Sequence, residues 1–115
     1  MANTFKVVTK AGVTSADVIY TAGSGVTAIV LGLILGNTTT SQITSTVSLS
    51  SDTSSRAGAN DEANQAVELI TDAPIPAGSS LELLSGNKVV LETTDTISVT
   101  GSGATDVALS IMEIT

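Results

Sequence analysis

The sequence predicts an all-β fold: a single-domain antiparallel β-sandwich, jelly-roll-like, of about eight strands. Three observations carry this. Short segments in which apolar residues alternate with Ser or Thr recur along the chain, with turn signals every eight to twelve residues or so. The composition is rich in Thr and β-branched residues and poor in Lys, which favours strands over helices. Finally, residues 72–100 (DAPIPAGSSLELLSGNKVVLETTDTISVT) read as a proline-punctuated entry followed by three short strands, with no room for a helix.

In chain order, residues 4–9 (TFKVVT) form a first strand, broken by Gly12 and Thr14-Ser15, and residues 17–21 (DVIYT) a second. Residues 22–25 (AGSG) are a turn. Their glycines resemble a loose phosphate loop, but no Lys follows and no helical pattern opens, so the context that motif needs is missing. Residues 26–36 contain the most apolar window of the chain, AIVLGLIL. It is too short to cross a bilayer and reads as a strand buried on both faces. Residues 37–41 (NTTTS) make a polar turn, and Asn37-Thr38-Thr39 also fits a glycosylation acceptor. Residues 42–50 (QITSTVSLS) alternate, placing Ile43, Val47 and Leu49 on one face and Gln42, Thr44, Thr46 and Ser48 on the other.

Residues 51–65 (SDTSSRAGANDEANQ) are the one long stretch without apolar periodicity. A polar loop of that length is usually functional, interface-forming or mobile. Strand pattern resumes at residues 66–71. Pro74 and Pro76 remove two backbone donors, so that segment belongs at a sheet edge or in an extended lead-in. Residues 80–84 and 88–92 then read as a hairpin across Gly86-Asn87, followed by strands at 96–100 and 106–114, with Gly101-Ser102-Gly103 turning between them. The whole chain, residues 1–115, reads as one domain, with residues 1–10 as an N-terminal arm and residues 51–65 as the long loop.

Composition excludes several function classes. Lys6, Lys10, Arg56 and Lys88 face eleven acidic residues, for a formal net charge of −7 and a pI of about 4.1. That balance argues against nucleic acid and against an anionic membrane as partners. With no Cys and no His there is no disulfide framework, and neither a Ser-His nor a Cys-His nucleophile. Glu92 and Asp95 flank Thr93-Thr94, but a two-carboxylate hydrolase also needs a sugar-gripping cleft. Phe5 and Tyr20 are the only aromatic residues, so this pair reads as a solvated turn. In the long loop Asp52, Asn60, Asp61, Glu62 and Asn64 offer hard oxygen donors. Their spacing matches no Ca²⁺ loop, so Asp52, Asp61 and Glu62 stand as metal candidates only, and no cofactor is assigned. Arg56 is a candidate interface residue, a lone cation able to pair with a neighbour's carboxylate. Residues 1–10 also lack the cationic-then-apolar pattern of a secretion signal.

Two long segments carry a family resemblance: VIYTAGSGVTAIVLGLILGNTTTSQITSTVSLS and VELITDAPIPAGSSLELLSGNKVVLETTDTISV, with DVALSIMEI at the end. They look like small virion structural proteins of tailed bacteriophages, particularly phages of cyanobacteria and other aquatic bacteria. The resemblance spans nearly everything outside residues 50–65. The sequence departs from the pattern at residues 22–25, where the relatives carry a proline, and at Thr93-Thr94, where they carry Ala-Gly. The resembling residues are packing and turn positions, specific for family and silent on activity. What the resemblance implies is a non-enzymatic building block: a capsid decoration or cement protein on the outer surface of the virion, homotrimeric, bridging major capsid protein subunits, with Phe5 in the N-terminal arm and Arg56 in the long loop as candidate interface residues. A neck or tail component is the alternative within the same class. A host-glycan-binding module is the alternative outside it, and would need Tyr20 or the long loop.

Overall fold

β-branched residues alternating with Ser and Thr suit a pleated surface with one dry face, and the chain uses nearly every such stretch as a strand. A computed structural model describes residues 2–52, 62–84 and 86–115. Among them are nine strands and no helix: β1 (Asn3–Val13), β2 (Asp17–Thr21), β3 (Thr27–Asn37), β4 (Ile43–Ser50), β5 (Val67–Ile75), β6 (Ser80–Leu83), β7 (Val89–Leu91), β8 (Thr96–Gly101) and β9 (Thr105–Ile114). They form two antiparallel sheets. The first has the order β1-β9-β3, with β6 and β7 both on the far side of β3; the second has the order β2-β8-β4-β5. Every connection changes sheet except β4 to β5 and the short step from β6 to β7.

Three expectations change. β6 and β7 are not a hairpin. β6 pairs with Leu33–Gly36 and β7 with Ala28–Val30, so the two lie end to end along β3 as one interrupted edge strand. Leu84 and Gly86 have φ of 61° and 87°, and β6 and β7 both run antiparallel to β3, where a hairpin turn would reverse the chain. Nine strands therefore make eight strand positions. Residues 3–10 are not a free arm: they run in unbroken register against β9, from Asn3↔Ile114 to Lys10↔Val107. Past that point β1 bulges at Gly12, whose φ of 67° suits glycine and whose amide donates to Asp106 Oδ1 at 3.0 Å. Nor is β3 buried on both faces. Ala28, Val30, Leu33 and Leu35 point inward, whereas Ile34 is 45% exposed and Ile29 and Leu31 are half-buried. A bulge between Val30 and Gly32 resets the alternation midway.

The core is one aliphatic layer shared by the sheets. Val30, Leu33, Leu35, Leu91, Val107, Leu109 and Ile111 come from the first sheet, and Ile43, Val47, Ile75, Ile97 and Val99 from the second. The proline expectation holds: Pro74 sits in β5, the edge of the second sheet. β8 ends where space is tightest. A Cβ on Gly101 would stand 2.5 Å from Thr105 Oγ1 and 2.6 Å from the Val13 carbonyl, so only glycine fits. Ser45, 1% exposed, buries an Oγ with no hydrogen-bond partner.

These two sites give opposite expectations in denaturant unfolding. Gly101→Ala should cost about 2–3 kcal/mol, because two of its three closest contacts are backbone oxygens that cannot move aside. Ser45→Ala should be neutral or stabilising, since it removes a desolvated hydroxyl that has no partner.

A candidate docking surface on one sheet

Directly paired residues of neighbouring strands share a face, so the registers define what each sheet shows to solvent. On the outer face of the first sheet one row runs Phe5, Met112, Ile29, Val90 across all four strand positions. The next holds Val7, Ser110 and Gly32, and the third Thr9, Ala108, Ile34 and Glu82. Phe5 is 71% exposed, Val7 64%, Val90 56% and Ile34 45%. A shallow groove of about 340 Å³ lies along the same face, lined by Thr9, Ala11, Ile34 and Ala108 together with the charged Lys10 and Asp106. Within these three rows the single charged residue is Glu82, at the margin.

The outer face of the second sheet is different in kind. Its rows read Val18, Ser98, Ser48, Glu68, then Thr100 with Thr46, then Thr21, Thr96, Ser50. Hydroxyls keep their hydrogen bonds to water, so this face gains little from being covered, whereas the first face loses apolar contact with water when it is covered. At strand spacings of ~4.8 Å and ~3.3 Å per residue the three rows cover roughly 400 Å². That matches the ~300–600 Å² of the largest apolar patch on a typical monomer, a patch that is often functional, and is about half of the ~800 Å² that each partner buries in a standard interface.

Of the two interface residues expected from sequence, Phe5 lies at the β1 end of the apolar row, while Arg56 falls outside the described residues. Sequence reasoning missed Val7, Ile29, Ile34, Val90 and Met112. The available signal was strand alternation with apolar residues at both phases, which in β3 reads equally as a strand buried on two sides. Among the metal candidates, Asp61 also lies outside the described residues. Asp52 contacts the Thr94 hydroxyl, and its amide donates to Asp95 at 3.2 Å; Glu62 is exposed. No group of three or more potential metal ligands occurs among the described residues.

Three polar anchors fix the frame around this face. Asp95 is 3% exposed, so the Glu92–Asp95 turn is not solvated as expected. Its carboxylate accepts from the amides of Glu92, at 3.0 Å, and Asp52, tying the start of the long loop to the β7–β8 turn. Asn37, also 3% exposed, donates to the carbonyls of Ser41 and Ile75 at 2.8 and 2.9 Å and accepts from the Thr39 amide and hydroxyl. Both ends of its amide are engaged, so in the folded chain it organises the turn and does not present itself as a glycan acceptor. The third anchor bridges the sheets. Tyr20 of β2 donates to Glu113 of β9 at 2.6 Å, and Lys6 of β1 pairs with the same carboxylate at 2.7 Å.

The hydrogen bond from Lys6, then that from Tyr20, hold the Glu113 carboxyl below its ordinary 4.5. Burial, then the bond to Glu113 and its charge, push the Tyr20 hydroxyl well above 10. A lowered carboxyl pKa contributes stability that is present above pH about 4.5 and is lost as pH falls through the folded value. The Tyr20 contribution is present below pH 10 and disappears at more alkaline pH. Glu113→Gln should therefore lower stability at neutral pH and flatten its decline towards pH ~3, measured as urea midpoints across that range. Asn37→Ala should cost about 2–3 kcal/mol in the same assay, because it strands two carbonyls, one of them beside the core.

No protein-family model and no curated protein matches the chain. Among solved structures it is similar to a Bacillus endospore appendage protein, described as belonging to a novel family of disulfide-linked pili. The TM-score is 0.50 and the identity 16%, over 97% of this chain and 84% of that one. The likeness is one of fold: an all-β, two-sheet antiparallel sandwich.

Proposed function

We propose that this chain is a non-enzymatic structural protein of a phage virion, an outer capsid decoration (cement) protein that stabilises the shell by bridging major capsid subunits. The observation that carries the reading is the division of the surface: an apolar outer face on the first sheet and a Ser/Thr face on the second. The first face docks on the shell, and the hydroxyl-covered face remains in water. A net charge of −7 favours the outside of the shell, since an anionic protein is repelled by packaged DNA. The strand order supports the jelly-roll reading as well. Counting β6 and β7 as one strand gives two four-stranded sheets between which the chain alternates at every step except β4 to β5.

Stabilisation by such a protein is mass action: it binds the assembled shell and not its dissociated subunits, so binding opposes disassembly. A neck or tail position is the second reading and uses the same face. The fold shared with a pilus protein favours an assembly subunit in either case. That neighbour's pili are disulfide-linked, a link this sequence, with no cysteine, cannot make. The glycan-binding reading would need Tyr20 or the long loop; Tyr20 is half-buried and its hydroxyl donates to Glu113.

Shells stripped of the protein should burst at lower temperature and regain stability when it is added back; equal stability with and without it would sink the cement role. A copy number comparable to that of the major shell subunit supports decoration, and a few copies at one vertex support the neck or tail. Ile34→Glu and Val90→Glu should each reduce shell binding at least tenfold while leaving the circular dichroism spectrum unchanged. Each places a charge in an apolar contact without touching the core.

A further inference from the structure

Exposed sheet edges are templates for further pairing, and most proteins blunt them with short strands, bulges or proline. Three of the four edges here are blunted. β2 has five residues and a bulge between Val18 and Tyr20. β5 contains Pro74, a left-handed Asp72 with φ 48°, and two register shifts against β4. The β6/β7 edge is split into pieces of four and three residues with left-handed backbone at Leu84 and Gly86. β1 alone is long and regular, with no register shift from Asn3 to Lys10.

The hydrogen-bond phase of that edge follows from its beginning. Ala2 and Thr115 exchange both backbone bonds, at 3.1 and 3.0 Å, so they are a hydrogen-bonded antiparallel pair. Because such pairs alternate along the ladder, Thr4, Lys6 and Val8 also turn their amides and carbonyls towards β9. Asn3, Phe5, Val7 and Thr9 therefore turn theirs away, to the open edge. The side chains of Phe5 and Val7 lie on the exposed apolar face just described.

We propose that the free edge of β1 pairs antiparallel with β1 of a second copy of this chain, about a two-fold axis through Lys6, joining the two first sheets into one continuous sheet. This register sets Asn3 opposite Thr9 and Phe5 opposite Val7 on both sides of the axis, so all four outward-facing residues of each copy meet an outward-facing partner. Phe5 and Val7 form apolar cross-strand pairs, and the apolar rows of the two copies become contiguous. A two-fold contact uses one surface twice, which suits a molecule whose other described edges offer no regular strand for head-to-tail pairing. Charge does not oppose it. The two Lys6 side chains meet near the axis, but each has Glu113 of its own chain at 2.7 Å, and Lys10 has Asp17 at 3.7 Å. A two-fold closes on two copies, so the homotrimer implied by the sequence resemblance would need a different surface. The contact rests on the reading of the chain as an assembly subunit only for its biological use.

Light scattering after size exclusion, over a concentration series, reads the contact directly and needs no shell, so it is decided separately from capsid docking. The wild-type chain should run at twice the subunit mass. Val7→Pro deletes an edge-facing donor and leaves the β9 ladder intact, so it should run at the subunit mass with an unchanged circular dichroism spectrum. A wild-type monomer, or a dimer or trimer that survives Val7→Pro, overturns the proposal. Should Val7→Pro not fold, Lys6→Cys decides the matter. At the axis it occupies a non-hydrogen-bonded pair with Cα atoms ~4.5 Å apart, within disulfide reach. In a chain without other cysteines it should oxidise almost completely to a reducible covalent dimer, and failure to do so overturns the proposed register and contact.

Discussion

One aliphatic layer, packed between β3 and β9 on one side and β8 and β4 on the other, holds this molecule together. With two aromatic residues in 115 and no cysteine, stability comes from Leu, Ile and Val methyl groups interdigitating between the two sheets. A sandwich core of this kind draws on one face of each strand. Strict alternation would make every other residue polar, as it does in β4, where Thr44, Thr46 and Ser48 lie on the face opposite Ile43, Val47 and Leu49. The first sheet breaks that economy. Ile29, Ile34, Val90, Met112, Phe5 and Val7 are apolar although the core does not need them, and that surplus is the basis for assigning the face to a partner.

The few buried polar groups serve to position this sheet. Asn37 ends β3 by capturing the Ser41 and Ile75 carbonyls, which fixes where the chain leaves the first sheet and where β5 returns. Asp95 gathers the amides of Glu92 and Asp52, so the interrupted edge formed by β6 and β7 is anchored where the chain crosses to β8. Tyr20, Glu113 and Lys6 close the open side of the sandwich, where β1 overhangs the second sheet. β1 is thus held firmly through Lys6 while Phe5 and Val7, on its opposite face, stay outside. A rigid strand with an uncovered apolar face is pre-organised for association and loses little entropy when it is covered.

Much of this architecture was legible in the residues themselves. The alternation in residues 42–50, the turn glycines at Gly101 and Gly103, and the donors missing at Pro74 and Pro76 lead to strands and edges found in those places. Other features failed for definable reasons. Gly86-Asn87 carries a hairpin signal, yet β3 offers both flanking segments a longer apolar partner, and tertiary pairing overrides the local turn preference. AIVLGLIL looks buried on both faces because hydrophobicity alone cannot tell core from uncovered docking surface; the 45% exposure of Ile34 does so. Asp95 resembles any acidic turn residue in sequence, since its burial depends on Asp52, more than forty positions away. The apolar face is likewise a property of register, assembled from five strands that are distant in sequence.

The central claim is that the outer face of the first sheet is covered when the molecule does its work. Met112 lies between Phe5 and Ile29 in the first row of that face, and its thioether oxidises readily wherever solvent reaches it. Oxidative footprinting of the assembled state against the free subunit, read by mass spectrometry, measures its exposure directly. The account predicts that Met112 and Phe5 lose labelling on assembly while Val18, on the Ser/Thr face, keeps its own. Unchanged labelling of Met112 and Phe5, or protection confined to Val18, would contradict it.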